Sequence, residues 1–168
     1  WDTAYKKTKD SNRSAYTYWG ATSSNYYLVW AWAAKVEFPE LKRKAKDLYN
    51  AQLPHAVWVE DKASGQSLVQ ELKEDTTMPV KAIPVDGNKE ARAFATTPLF
   101  ESGKVLLPAD APWVDEYIEE LCSFPGTADD DYVDSTSQAL TYLPKMLRRL
   151  ERFGSSNVIP LTGSIFGR

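Results

Sequence analysis

The order of its predicted elements limits the fold of this chain more than any other feature. Three strand-like segments come first, over residues 1–5, 14–19 and 25–33, and the second and third are rich in aromatic side chains. Short links between them predict an antiparallel meander. From Pro39 onward, helical and strand-like segments alternate, which predicts a mixed sheet with helices on both faces. The predicted fold class is therefore α/β, with a mixed central sheet whose first three strands are antiparallel.

The later segments define one domain. Helices are predicted over 39–52, 63–75, 88–97, 112–124 and 129–150, and strands over 56–61, 80–85 and 104–107. Pro144 is expected to kink or split the last helix. Residues 154–168 are rich in Gly and Ser and are predicted to form a loose tail, which leaves a single domain over 1–153. Because the chain begins at Trp1 with no basic and then apolar leader, we expect an excised domain of a longer protein.

Composition excludes several kinds of chemistry. The chain has one cysteine and one histidine, so an internal disulfide, a thiolate zinc cluster and a multi-histidine metal site are excluded. No run of about 18 apolar residues is present, so no membrane-spanning helix is predicted. The net charge of −3 is not that of a typical nucleic-acid binder, although a local basic groove is compatible with it. The chain has 23 Asp and Glu residues, so carboxylate oxygens are the main groups left for catalysis.

Acidic residues stand at three places where functional groups commonly gather. Asp2 lies in the first strand, Glu60 and Asp61 end the fourth, and residues 129–134 begin the last helix. If the first and fourth strands are neighbours, Asp2 and Glu60 point into one cleft that the helix start can close. Without a cation such carboxylates repel each other, whereas an oxygen-only cluster suits Mg²⁺ or Mn²⁺. Two such ions about 4 Å apart can hold a phosphodiester in line with an attacking water.

Each acid also has a simpler explanation. Asp2 can be a surface acid, Glu60 can mark where a strand reaches water, and the acidic run can cap a helix and complement its dipole. Because neighbouring residues of a strand point to opposite faces, only one of Glu60 and Asp61 should reach the metals. Asp131 is the favoured helix ligand, since Asp134 lies one turn along on the same face.

Four sequence blocks in a fixed order carry a resemblance to a known family. They are Trp-Asp-Thr-Ala at 1–4, Val-Glu-Asp-Lys-Ala-Ser-Gly-Gln at 59–66, Lys-Glu-Ala-Arg-Ala at 89–93 and Asp-Asp-Tyr-Val-Asp-Ser at 130–135. The chain resembles, from Trp1 to about Leu143, the C-terminal nuclease domain of tailed-phage and prophage terminase large subunits. That family has a ribonuclease H-like fold and cuts concatemeric DNA with two metal ions. It often carries His-Asp-Asp at the last block, where this chain has Asp129 in place of the His, so the register within the acidic run stays open.

The resemblance implies roles for particular residues. The implied catalytic residues are Asp2, Glu60 and Asp131, and the implied ligands of two Mg²⁺ or Mn²⁺ ions are the same three with Asp134. Asp61 remains the competitor of Glu60. Lys89 and Arg92 resemble phosphate contacts of the family, and Lys62 is expected either to meet a phosphate or to neutralise a carboxylate. Ser64 and Gly65 are compatible with a turn that faces DNA or with the start of a helix.

The resemblance also implies partners and leaves other functions open. It implies double-stranded DNA, an upstream ATPase domain of the same polypeptide, the small terminase subunit and the portal, all in the host cytoplasm. No phosphate-loop motif occurs in these residues, so ATP use is not assigned to them. A resolvase- or transposase-like nuclease, or a non-catalytic DNA-binding or assembly module, are the alternatives, and a carboxylate-pair glycosidase is a distant third.

Overall fold

The computed structural model describes residues 1–4, 13–84, 87–127 and 129–152. Within these ranges strands and helices follow one another in the predicted order: β1 (Ser14–Ala21), β2 (Tyr26–Ala34), α1 (Phe38–Gln52), β3 (Val57–Glu60), α2 (Ala63–Asp75), β4 (Val80–Ile83), α3 (Lys89–Glu101), β5 (Val105–Leu106), α4 (Val114–Ser123) and α5 (Asp131–Arg152). No helix in these ranges combines the length and apolar character needed to cross a membrane.

Residues 1–4 join two groups of strands into one sheet. β1 pairs antiparallel with β2, β2 pairs parallel with β5, and β3 pairs parallel with β4. Asp2 exchanges both backbone hydrogen bonds with Ala15 of β1, at 3.0 and 2.8 Å. On its other side, the Trp1 carbonyl accepts from the Glu60 amide of β3 at 3.0 Å, and the Trp1 nitrogen donates to the Trp58 carbonyl at 2.8 Å. The spatial order is therefore β5, β2, β1, residues 1–4, β3, β4, and the predicted mixed sheet with an antiparallel start is confirmed.

Helices cover both faces of this sheet. Tyr16 of β1 and Val59 of β3 pack in one core with Leu41 of α1 and with Leu68 and Leu72 of α2. The second core contains Ala15 and Leu28 of the sheet, Tyr117 of α4 and Tyr132 of α5. The adjacent residues Ala15 and Tyr16 thus enter opposite cores, as the alternation of a strand requires.

α5 lies against β1 through small polar side chains. Every residue from Asp131 to Leu140 is buried, although the stretch includes several hydroxyls. The hydroxyls of Thr17 and Ser135 lie 2.8 Å apart, and so do those of Tyr117 and Thr136. These bonds satisfy polar groups that burial would otherwise penalise. They also fix the start of α5, with its acidic residues, beside the first strands of the sheet.

The structure differs from the predicted elements at two prolines. α3 continues through Pro98 to Glu101 instead of ending at Thr97, and α5 is not split at Pro144 but continues to Arg152. A proline removes one backbone donor, and the eleven buried residues that precede Pro144 anchor α5 before the proline is reached. The predicted tail over 154–168 and the ends of two predicted strands, at Tyr5 and Val85, lie outside the described residues.

Candidate active site

Asp2 and Glu60 form a buried carboxyl pair. The pairing of residues 1–4 with β3 places them side by side, with Asp2 7% exposed and Glu60 fully buried. Burial, followed by a hydrogen bond to Glu60 and the Glu60 charge, raises the pKa of Asp2 to about 7. When both groups are ionised, Oε1 of Glu60 has no hydrogen-bond donor among the described residues. The pair therefore retains a proton or requires a positive charge.

Lys62 supplies part of that positive charge. Its Nζ lies 2.6 Å from Oε2 of Glu60 and 3.8 Å from Oδ1 of Asp2. The Lys62 side chain is 51% exposed, whereas the two acids it neutralises are buried. A lysine can keep part of its stem at the surface while its ammonium reaches a buried acid. Lys62 is thus a counter-ion that approaches the pair from solvent.

The start of α2 contacts the backbone of both segments that carry the pair. Ser64 donates its hydroxyl to the Thr3 carbonyl at 2.7 Å. A Cβ added to Gly65 would lie 1.9 Å from the Glu60 carbonyl oxygen, a separation that no real side chain could adopt. Gly65 is therefore a helix residue that lets α2 approach the end of β3, and of the two sequence-based interpretations the helix start is confirmed.

Asp131 brings a third carboxyl close to the pair. It is the first residue of α5 and is 2% exposed. Burial, then the charge of Asp2, raises the pKa of Asp131 to about 6, while Arg13 opposes the rise. The Arg13 Nε lies 3.4 Å from Oδ2, and Oδ1 is buried without a hydrogen-bond partner among the described residues.

Asp134 lies one turn further on and is fully engaged. Its Oδ1 accepts from Arg92 at 2.9 Å, and its Oδ2 lies 2.8 Å from the Lys89 ammonium. Lys89 also lies 2.5 Å from Oδ1 of Asp130. Burial has the largest influence on the pKa of Lys62 and lowers it. The charges of Asp2, Glu60 and Asp134 outweigh that influence, so the pKa of Lys62 is raised. The two predicted phosphate contacts of α3 are therefore ion-paired to the acids of α5.

The structure brings together most of the residues that the sequence singled out. Asp2, Glu60 and Lys62 are in direct contact, and Asp131 interacts electrostatically with Asp2. Asp61 lies apart from them: it is exposed and accepts a hydrogen bond from the Gln66 amide at 2.8 Å. Among the described residues, however, no three His, Cys, Asp or Glu side chains form a group already arranged to hold a metal ion.

The sequence pattern predicts no role for two residues of this region. Arg13 precedes β1, and Glu120 belongs to α4, which carried no predicted functional residue. Their role depends on contacts between segments more than 100 residues apart, with Arg13 reaching α4 and α5. A buried glutamate on the otherwise apolar face of a helix is the one local signal that could have identified Glu120.

The raised pKa values predict how the stability of the metal-free protein depends on pH. Asp2 and Asp131 hold protons in the folded state that the unfolded chain releases above about pH 4, so their contribution is complete below that pH and is lost as pH rises towards 6 and 7. We expect the free energy of unfolding to fall by about 2 kcal/mol between pH 4.5 and 6. Urea unfolding in chelator, compared with Asp2→Asn, measures it. A stability that rises over this range, or a slope unchanged in Asp2→Asn, would contradict the assignment.

A family of known proteins matches most of the chain. The family model of the terminase RNaseH-like domain matches residues 1–143. A comparison with curated proteins gave no match. The mixed α/β fold is consistent with that RNaseH-like family. The chain belongs to the terminase RNaseH-like domain family, and it is therefore a nuclease-type domain of a terminase, the class of protein that takes part in phage DNA packaging.

Proposed function

We propose that this domain is a metal-dependent DNA endonuclease that cuts concatemeric double-stranded DNA during viral genome packaging. The observation that carries the proposal is the buried Asp2–Glu60 pair with Asp131 beside it, three carboxyls brought from distant parts of the chain. Burying like charges together is unfavourable unless a cation or protons compensate for them. Membership of the terminase family supports the same function.

The donors of this site fit Mg²⁺ or Mn²⁺. Every candidate ligand is a carboxylate, the donor that both ions accept. Oε1 of Glu60 and Oδ1 of Asp131 are buried oxygens that have no hydrogen-bond partner among the described residues, so each has a lone pair to offer. Asp2, Glu60 and Asp131 would hold the ions. Asp134 could join them only by releasing Lys89 or Arg92.

Two bound cations would activate a water and stabilise the charge that develops on the leaving 3′ oxygen. The protein's own contribution is geometric and electrostatic. The sheet fixes Asp2 beside Glu60, and Asp131, the first residue of α5, lies within range of the Asp2 charge. Lys62 pairs with Oε2 of Glu60, so a divalent ion held by this carboxylate would weaken that ion pair and leave the ammonium available to a phosphate oxygen.

Lys62, Lys89 and Arg92 are the proposed DNA contacts. Each is ion-paired with Glu60, Asp130 or Asp134 in the free domain, so a DNA phosphate would compete with a carboxylate for the same cation. Contacts of this kind recognise the backbone and carry no base information. We expect low sequence specificity and binding that weakens steeply as the salt concentration rises.

The wider assembly follows from the proposed role. The partners would be an upstream ATPase domain of the same polypeptide, the small terminase subunit and the portal, and the setting would be the host cytoplasm. The domain itself would bind double-stranded DNA directly.

A plasmid cleavage assay tests the proposal. The domain should convert supercoiled plasmid to open and linear forms with Mn²⁺ or Mg²⁺ and should lose this activity in EDTA. Asp2→Asn removes one charge of the buried pair and should lower the cleavage rate by at least about 100-fold. Cleavage that persists in EDTA, or that Asp2→Asn leaves unchanged, would refute the proposal.

A further inference from the structure

Arg13 and Glu120 build a largely buried charged link between the start of β1, the second half of α4 and the start of α5. Arg13 lies 2.5 Å from Oε2 of Glu120 through one terminal nitrogen and 2.5 Å from Glu116 through the other. Its Nε faces Oδ2 of Asp131 at 3.4 Å. The guanidinium carbon also lies 5.6 Å from the centre of the Tyr132 ring. Arg13 thus contacts two consecutive residues of α5, Asp131 and Tyr132.

Glu120 completes the first turn of α5. Its Oε1 accepts hydrogen bonds from the backbone amides of Tyr132 and Val133, at 2.6 and 3.2 Å. The first amides of a helix have no partner within the helix, and a carboxylate there also complements the helix dipole. The cap is supplied by α4 rather than by the preceding residue of the chain, and Glu120 is only 6% exposed.

We infer that Arg13 and Glu120 are positioning residues for Asp131. Glu120 fixes the backbone on which Asp131 stands, and Arg13 occupies Oδ2 of Asp131 so that Oδ1 is the atom left free. The inference rests on the proposed function, since Oδ1 matters because a divalent cation would bind it. Outer groups that orient a ligand typically change metal affinity or activity by about 10–100-fold when they are replaced.

Arg13 also balances the negative charge of the acids around it. Burial raises the pKa of Glu120, and Arg13 together with the two α5 amides opposes that rise. Arg13 faces Asp129, Asp131, Glu116 and Glu120, so replacing it with a neutral residue would leave several acids crowded without a cation. Arginine suits the position because the separate nitrogens of its planar fork each meet a different carboxylate, whereas a lysine ammonium is a single point charge.

Three variants separate positioning from general stability. Glu120→Gln keeps an acceptor for the α5 amides but loses the ion pair with Arg13, and Arg13→Lys keeps the charge but loses the fork. Glu116→Gln removes a partner of Arg13 that is 55% exposed and does not cap α5. Each protein is titrated with Mn²⁺ by calorimetry at a temperature at which unfolding experiments show it fully folded. Hydrogen exchange of the Tyr132 and Val133 amides is measured without metal.

We expect the Kd for Mn²⁺ to rise about 10–100-fold in Glu120→Gln and Arg13→Lys, and to stay within about threefold in Glu116→Gln. The Tyr132 and Val133 amides should exchange faster in Glu120→Gln. If wild type binds Mn²⁺ and both variants bind it equally well, the positioning role is overturned while the proposed function stands. If wild type binds no Mn²⁺, the proposed function fails and the positioning role fails with it.

Discussion

Glu60→Gln is expected to lower the affinity for Mn²⁺ and the rate of plasmid cleavage by at least about 100-fold. Glu60 is fully buried, and its Oε1 lacks a hydrogen-bond donor among the described residues. Its carboxyl group lies beside that of Asp2 and is paired with the Lys62 ammonium. The substitution keeps the size of the side chain and removes the negative charge that a divalent cation requires. Calorimetry with Mn²⁺ and the cleavage assay measure the two effects separately.

Asp61→Asn is the matched control, because it makes the same chemical change one residue along the chain. Asp61 is exposed and contacts the Gln66 amide rather than the pair. We expect affinity and rate to stay within about twofold of wild type, as for an ordinary surface substitution. The reverse pattern, with Asp61→Asn inactive and Glu60→Gln active, would show that the other acid of this strand is the functional one.

Gly65→Ala is expected to destabilise the fold by about 3 kcal/mol. The added methyl group would lie 1.9 Å from the Glu60 carbonyl oxygen, so α2 must move away from the end of β3. Both partners are backbone atoms of regular elements, and neither can rotate away as a side chain would. Urea unfolding measures the loss, and the Kd for Mn²⁺ should rise as well, because Glu60 moves with its carbonyl.

Gly20→Ala provides the comparison for this loss. A Cβ at Gly20 would make ordinary contacts, with its nearest neighbour at 3.8 Å. Gly20 lies in β1, where alanine costs less conformational entropy than glycine, so stability should be unchanged or up to about 1 kcal/mol higher. Equal effects of the two substitutions would show that the close approach of α2 to Glu60 does not limit the fold.

Local patterns were sufficient to predict most of the sheet. The aromatic alternation of β1 and β2 identified both strands, and the apolar run ending in Glu60 identified β3. The convergence of Asp2 with Glu60 followed from expecting their strands to be neighbours. The prolines are where the sequence pattern gives the wrong answer: an end at Thr97 and a split at Pro144 are both wrong, since each helix continues through its proline.

Tertiary contacts decided what the local pattern left open. Alternation along a strand shows that Glu60 and Asp61 point apart, but only the packing of α2 shows that the buried one is Glu60. Within the acidic run, Asp131 has one carboxylate oxygen free and Asp134 has both paired, a difference set by Arg13, Lys89 and Arg92 from elsewhere in the chain. No sequence spacing encodes such pairings.

We propose above that Asp2, Glu60 and Asp131 together capture divalent cations. Crystals of the domain soaked in Mn²⁺, with anomalous scattering recorded near the manganese edge, test it most directly. We predict manganese bound by the carboxylates of Asp2 and Glu60 with Asp131 completing the site, and the Lys62 ammonium withdrawn from Glu60. Manganese absent from this pocket, with Lys62 still paired to Glu60, would contradict the claim.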